Sequence, residues 1–196
     1  MFYDAIKNDH GLPVDPFKAL VGPRPIAWVS TVSASGINNL APYSFFNAFS
    51  EHPFYVAIGS GGRKHTLTNI AATGVFAVNV ATHDLREAMN ASSTTAEGDE
   101  FKVAGLTPVP CSLISAPRVA ESPVTLECRH HTTLPLPDDE GVASDFLVVG
   151  RVVGVHIDDR FITDGRVNTA AMKLIARLGY AEYATVTEAW RMRRPG

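Results

Sequence analysis

VTLECRHHTTL, Val124–Leu134, and FLVVGRVVGVHI, Phe146–Ile157, are the two runs that decide the fold. Both are long, rich in β-branched residues and partly alternating. That is the pattern of a curved antiparallel sheet with one face in the core and the other incompletely covered. Little helix-forming sequence separates them. Working outward, Ile26–Val32, Phe54–Gly59 and Val75–Val80 read as three shorter strands, divided by clusters of Gly, Pro, Asn and Ser. The turn SASGINN, Ser33–Asn39, ends the first of these. KHTLTNIAATG places a helix at about Thr66–Ala72 closed by Gly74, THDLREAMNAS a second opened by Thr82 or Asp84, and NTAAMKLIARLGY a third running from near Thr169 to Gly179. A parallel α/β sheet is the competing architecture, because strands and helices interleave between residues 54 and 90. No GxGxxG turn follows an early strand, so that fold would lack its phosphate loop. The expectation is one mainly β domain over 1–196, a barrel with short helices.

Composition narrows the function classes. The 196 residues carry a formal charge of -3 with both signs mixed along the chain, which offers no field for a nucleic-acid backbone. Asp4, Lys7, Asp9 and Asp15 interrupt the first twenty residues, so no signal-peptide core can be drawn there. No later apolar run approaches the roughly 20 residues of a spanning helix. Cys111 and Cys128 show neither CxxC spacing nor the density of a disulfide-stapled module. A cytoplasmic protein without a membrane or nucleic-acid partner is expected. Metal binding is not: His130 and His131 are adjacent and would face opposite sides of a strand, and Cys128 with His130 lacks a second ligand pair. Neither a GxSxG elbow nor an HExxH helix occurs.

Two segments carry chemistry. In GSGGRKHTLTNI, Gly59–Ile70, a strand runs into a Gly-rich bend, then into Arg63 and Lys64, then into a helix at about Thr66. A helix start leaves unpaired N–H groups and partial positive charge; two cations and a hydroxyl beside it make an anion site. An exposed basic turn with Thr66 capping its own helix fits the same residues. INNLAPYSFFNAFSEHP, Ile37–Pro53, shows no clean period and reads as irregular chain lying on the barrel, with amides free for a ligand edge and Tyr43, Phe45, Phe46 and Phe49 as an apolar wall. Ordinary core or interface packing is the other reading of those rings, expected for at least Phe46 or Phe49.

GPRPIAWVSTVSASGINNLAPYSFFNAFSEHPF (Gly22–Phe54), RKHTLTNIAATGVFAVNV (Arg63–Val80), AMNASS (Ala88–Ser93), DEFKVAGLTPVP (Asp99–Pro110), ESPVTLEC (Glu121–Cys128) and ARLGYAEYA (Ala176–Ala184) occur in that order. Together, over about residues 20–184, they resemble the flavin reductase-like or flavoredoxin family. The resemblance implies an FMN-binding split β-barrel, antiparallel and Greek-key-like, forming a homodimer. It implies hydride transfer from NAD(P)H to flavin, with the reduced flavin passed to a partner oxygenase or used on another acceptor. It also implies cofactor contacts: Ser30 and Thr31 at a strand end; Asn39, Ala41, Tyr43, Ser44 and Phe45 along the ring edge and ribityl chain; Arg63, Lys64 and Thr66 at the phosphate; Asn79 near the ribityl chain or ring edge. No catalytic acid or base is assigned. A non-enzymatic FMN carrier, a pyridoxamine-phosphate oxidase-like enzyme and a haem-binding relative are the alternatives. Two positions depart from the family's pattern: His65 stands where aspartate is common, and Tyr180 where the second glycine of a GG pair is usual.

Overall fold

The computed structural model describes residues 1–94 and 98–195. Its elements, in chain order, are α1 (Phe17–Leu20), β1 (Arg24–Pro25), β2 (Ala27–Val32), β3 (Asn38–Tyr43), β4 (Phe46–Glu51), β5 (Phe54–Gly61), α2 (His65–Thr73), β6 (Val75–Val80), α3 (Arg86–Ala91), α4 (Glu100–Ala104), β7 (Pro108–Pro110), β8 (Pro117–Val119), β9 (Val124–Pro137) and β10 (Ala143–Ile157). A one-turn 3-10 helix then leads into β11 (Ile162–Thr163), β12 (Arg166–Val167), β13 (Ile175–Arg177) and β14 (Tyr183–Thr185). Seven strands form one antiparallel sheet in the order β3-β2-β6-β9-β10-β5-β4. The long β9–β10 hairpin carries three register shifts, which bend the sheet. Its two edges, β3 and β4, are joined by Ser44 and Phe45, and β3 comes back into contact with β5. The result is a split barrel.

Alternation on each strand divides the core in two. Ala27 and Val29 of β2, Val56 and Ile58 of β5, Phe76 and Val78 of β6, and Phe146 and Val148 of β10 point inward, where Leu67 and Ile70 of α2 plug the barrel. The intervening residues point outward. Ile26, Trp28 and Leu40 pack there beneath Met89 of α3 and Phe101 of α4. Each large side chain so buried contributes about 1.5–3 kcal/mol. Trp28 also satisfies its indole N–H on Ser92 Oγ at 2.8 Å.

Five expected strands and the helix at Thr66–Ala72 are present, with ends moved by a few residues. Two expectations fail. The stretch 37–53 is not irregular chain: β3 pairs with β2 and β4 with β5. The alternation was masked because Asn39, Ala41 and Tyr43 share one face without sharing a polarity. The helix drawn from Thr169 to Gly179 does not form either. Lys173 takes φ +51, the Ile175 amide donates to Ala81 O at 3.1 Å, and residues 175–177 join β1 and β14 in a small sheet. Tertiary pairing outweighs a local helical preference worth tenths of a kcal/mol per residue. The helix expected from Thr82 or Asp84 starts later, at Arg86.

Candidate flavin site

The helix α2 begins without a cap. Its N-cap Lys64 is extended and makes no side-chain capping bond, and no acidic residue stands in the first turn. The amides at the start therefore keep their free hydrogen-bonding capacity and partial positive charge. Arg63 and Lys64 are exposed just ahead of it. Neither forms a salt bridge among the described residues. Arg63 is steadied by Phe146, its guanidinium 4.7 Å from the ring centroid.

Beneath this helix start lies a polar cluster that the barrel assembles from three elements. Asn39, on the inward face of β3, donates from Nδ2 to Thr66 Oγ1 at 3.0 Å. The Tyr43 hydroxyl, two pleats along the same face, is held by Thr66 and Ser60. Burial pushes the Tyr43 phenol above its ordinary value and those two hydrogen bonds pull it partly back. Asn69, one turn beyond Thr66 on α2, donates to Thr31 Oγ1 at 3.0 Å. A recess of about 230 Å³ opens beside the helix start between Ser33, Asn38, Asn39, His65 and Asn69.

The third part is a cleft of about 1110 Å³, at the upper end of the roughly 300–1000 Å³ usual for ligand sites. Phe45, Phe46, Phe49 and Phe146 supply its rings, Ser60 and Gly61 the end of β5, and residues 18 and 20–25 a further part of its wall. Phe45 is pinned by its carbonyl, which accepts from Gly59 N at 2.8 Å. A side chain on Gly59 would start 3.0 Å from Phe45 Cβ, a contact so tight that Phe45 would have to shift by a few tenths of an ångström to admit it. Phe146 lines the cleft and also stacks under Arg63, so the helix start and the cleft are neighbours.

Of the residues singled out from the sequence, Thr31, Asn39, Tyr43 and Thr66 come together, with Arg63 and Lys64 at the mouth. Ala41 packs on the inner core between Asn39 and Tyr43. Ser44 is half-buried at the crossing between the sheet edges, beside Phe45. Ser30 and Asn79 are not brought to this group. They lie on the opposite face of β2 and β6, where Asn79 donates to Trp28 O and Ser30 Oγ and accepts from Val119 N and Thr125 Oγ1. Fully enclosed and fully bonded, Asn79 has no donor left for a ligand. Tyr43, placed in the apolar wall by sequence, points inward instead; Phe46 packs partly on the inner core, and Phe49 is open to solvent. Ser60, Asn69 and Phe146 were not anticipated. Asn69 was detectable: it lies three residues after Thr66, on the same helix face.

Barrel, uncapped helix start and ring-lined cleft are together those of a split-barrel flavin protein. Residues 22–170 match the flavin reductase like domain. An uncharacterized protein of Halalkalibacterium halodurans is 37% identical over 190 residues, covering 91% of this chain and 90% of that one. Component B of nitrilotriacetate monooxygenase from Bacillus cereus superposes with a TM-score of 0.88 at 29% identity over 98% of both chains. A Shewanella frigidimarina protein with a split barrel domain superposes with a TM-score of 0.86 over the whole of both chains, at 23% identity, and so attests the fold. The chain belongs to the flavin reductase-like family.

Proposed function

We propose that this protein is an FMN-binding NAD(P)H:flavin oxidoreductase. The observation that carries the reading is the α2 start, where free amides, Arg63 and Lys64 stand without a carboxylate partner among the described residues. That donor set fits a terminal phosphate dianion. Flavin, when bound, supplies the hydride chemistry. The chain's own residues bind and orient. Arg63, Lys64 and the first-turn amides take the phosphate, and the buried Thr66 hydroxyl holds Asn39 and Tyr43 in place beneath them. Ala41, Ser44 and Phe45 run along the ring side, and the ring-lined cleft leaves room for a nicotinamide to stack. No side chain is required to move a proton.

The likeness to a monooxygenase component B supports delivery of reduced flavin to a partner oxygenase. The mostly exposed strand β4, with Phe49 68% and nearby Phe54 54% exposed, supports a homodimer formed over that edge. We place the whole chain, 1–196, in one cytoplasmic domain. Anaerobic titration of the FMN-loaded protein with NADH and with NADPH tests the activity: at least one should bleach the flavin absorption rapidly. A flavin that stays oxidised with both, yet is bleached by a reduced protein donor, makes this an electron carrier and refutes the reading. Light scattering should give twice the chain mass.

A further inference from the structure

Arg24 is only 6% exposed, yet no carboxylate faces it among the described residues. Its Nη1 donates to the carbonyls of Lys18 and Val21, at the end of α1, and its Nη2 donates to Leu178 O at 2.8 Å. The guanidinium also lies over Phe45, 5.6 Å from the ring centroid. One side chain thus joins three parts of the chain, the farthest of them 154 positions from Arg24. Its Nε is buried without a partner among the described residues. Neighbouring packing reinforces the junction. A Cβ on Gly179 would lie 2.8 Å from Ala19 Cα, so α1 sits directly on the C-terminal segment. Arg24 pairs with Arg177, and Pro25 with Ala176, in the sheet of β1, β13 and β14.

We propose that Arg24 is a positioning residue for the flavin loop. It clamps α1 and the C-terminal segment together and, through the guanidinium face, sets where Phe45 stands in the wall of the large cleft. Only a planar fork with a stackable face does both; lysine offers a single point charge. The buried Nε left unpaired is understandable in a group selected for where it holds others, since a purely structural core position is served better by an apolar residue. The proposal rests on the reading of residues 41–45 as the flavin loop.

The test is a double-mutant cycle with Arg24→Lys and Phe45→Leu, read as FMN affinity by fluorescence quenching and as the visible absorption band of the bound flavin. Each single variant should weaken FMN about tenfold and alter the band. The double variant should be no more than about twofold worse than the weaker single, because one change removes what the other acts through. Losses that multiply, or an Arg24→Lys variant with parental affinity and spectrum, overturn the proposal while leaving the loop reading intact. A Phe45→Leu variant that binds FMN as the parent does overturns the loop reading, and the proposal with it. Should Arg24→Lys not fold, Gly179→Ala, which lifts α1 from the C-terminal segment without touching Arg24 or Phe45, carries the test. An altered flavin band then supports the clamp and a parental band overturns it.

Discussion

Replacing Arg63 and Lys64 together with alanine should separate FMN from riboflavin, which has the same ring and ribityl chain but no phosphate. Both side chains are exposed and neither has an ion-pair partner among the described residues, so their removal leaves no buried group stranded. The fold loses chiefly the contact of Arg63 with Phe146 at 4.7 Å, worth about 0.5–1 kcal/mol at an exposed site. A hydrogen bond to a charged group contributes about 1.5–3 kcal/mol, and solvent exposure brings each of these to the low end, near 1–1.5 kcal/mol. Their sum, about 2–3 kcal/mol, corresponds to roughly 30- to 150-fold weaker FMN binding at 1.4 kcal/mol per decade. Riboflavin affinity should stay within about twofold. Fluorescence-quenching titrations of both flavins at low and high salt make the measurement, and the parent's preference for FMN should shrink as salt screens the site. Equal losses for the two flavins would refute the assignment of the phosphate to the α2 start.

Asn79→Ala removes four internal hydrogen bonds and strands the Val119 amide. It should cost about 3 kcal/mol or more in urea unfolding, while the folded protein binds FMN as the parent does. Tyr180 sits at φ +54, a left-handed conformation that favours glycine; Tyr180→Gly should raise the melting temperature, by relief of up to about 1 kcal/mol. Burial, the nearby Glu127 carboxylate and, in opposition, Arg118 bring the Cys111 thiol from 9.0 up to about 12. Thiol labelling at pH 8 should therefore run about a thousandfold slower in the folded protein than in urea, since only thiolate reacts. Because the unfolded chain releases the Cys111 proton near pH 9 and the folded chain holds it to about 12, this thiol's contribution to stability is complete below pH 9. It is lost as pH rises through that window. Tyr43, also raised, adds a loss in the same sense above pH 10. Burial raises the Cys128 thiol as well, so urea melts from pH 8 to 11 should show the decline, and Cys111→Ala should lessen its slope without abolishing it.

The strands whose apolar alternation is regular, and the helix bounded by a Gly-rich bend and Gly74, are legible in the chain before it folds, because period and turn chemistry are local properties. The candidate anion site is legible for the same reason: Arg63, Lys64 and the α2 start are adjacent in sequence and remain adjacent in space. Tertiary structure alone decided the rest. Strands β3 and β4 exist because β2 and β5 offer them hydrogen-bonding edges; their own mixed polarity hides the period of two. Ile175–Arg177 is strand and not helix because β1 and β14 stand on either side of it. Ser30 and Thr31 are neighbours in sequence, yet the pleat sends Thr31 to Asn69 under the helix start and Ser30 to the Asn79 network on the far face. Arg24 shows the limit most plainly. Nothing within a few residues of it announces Leu178 or Phe45, and a contact spanning 154 positions is set by closure of the whole fold.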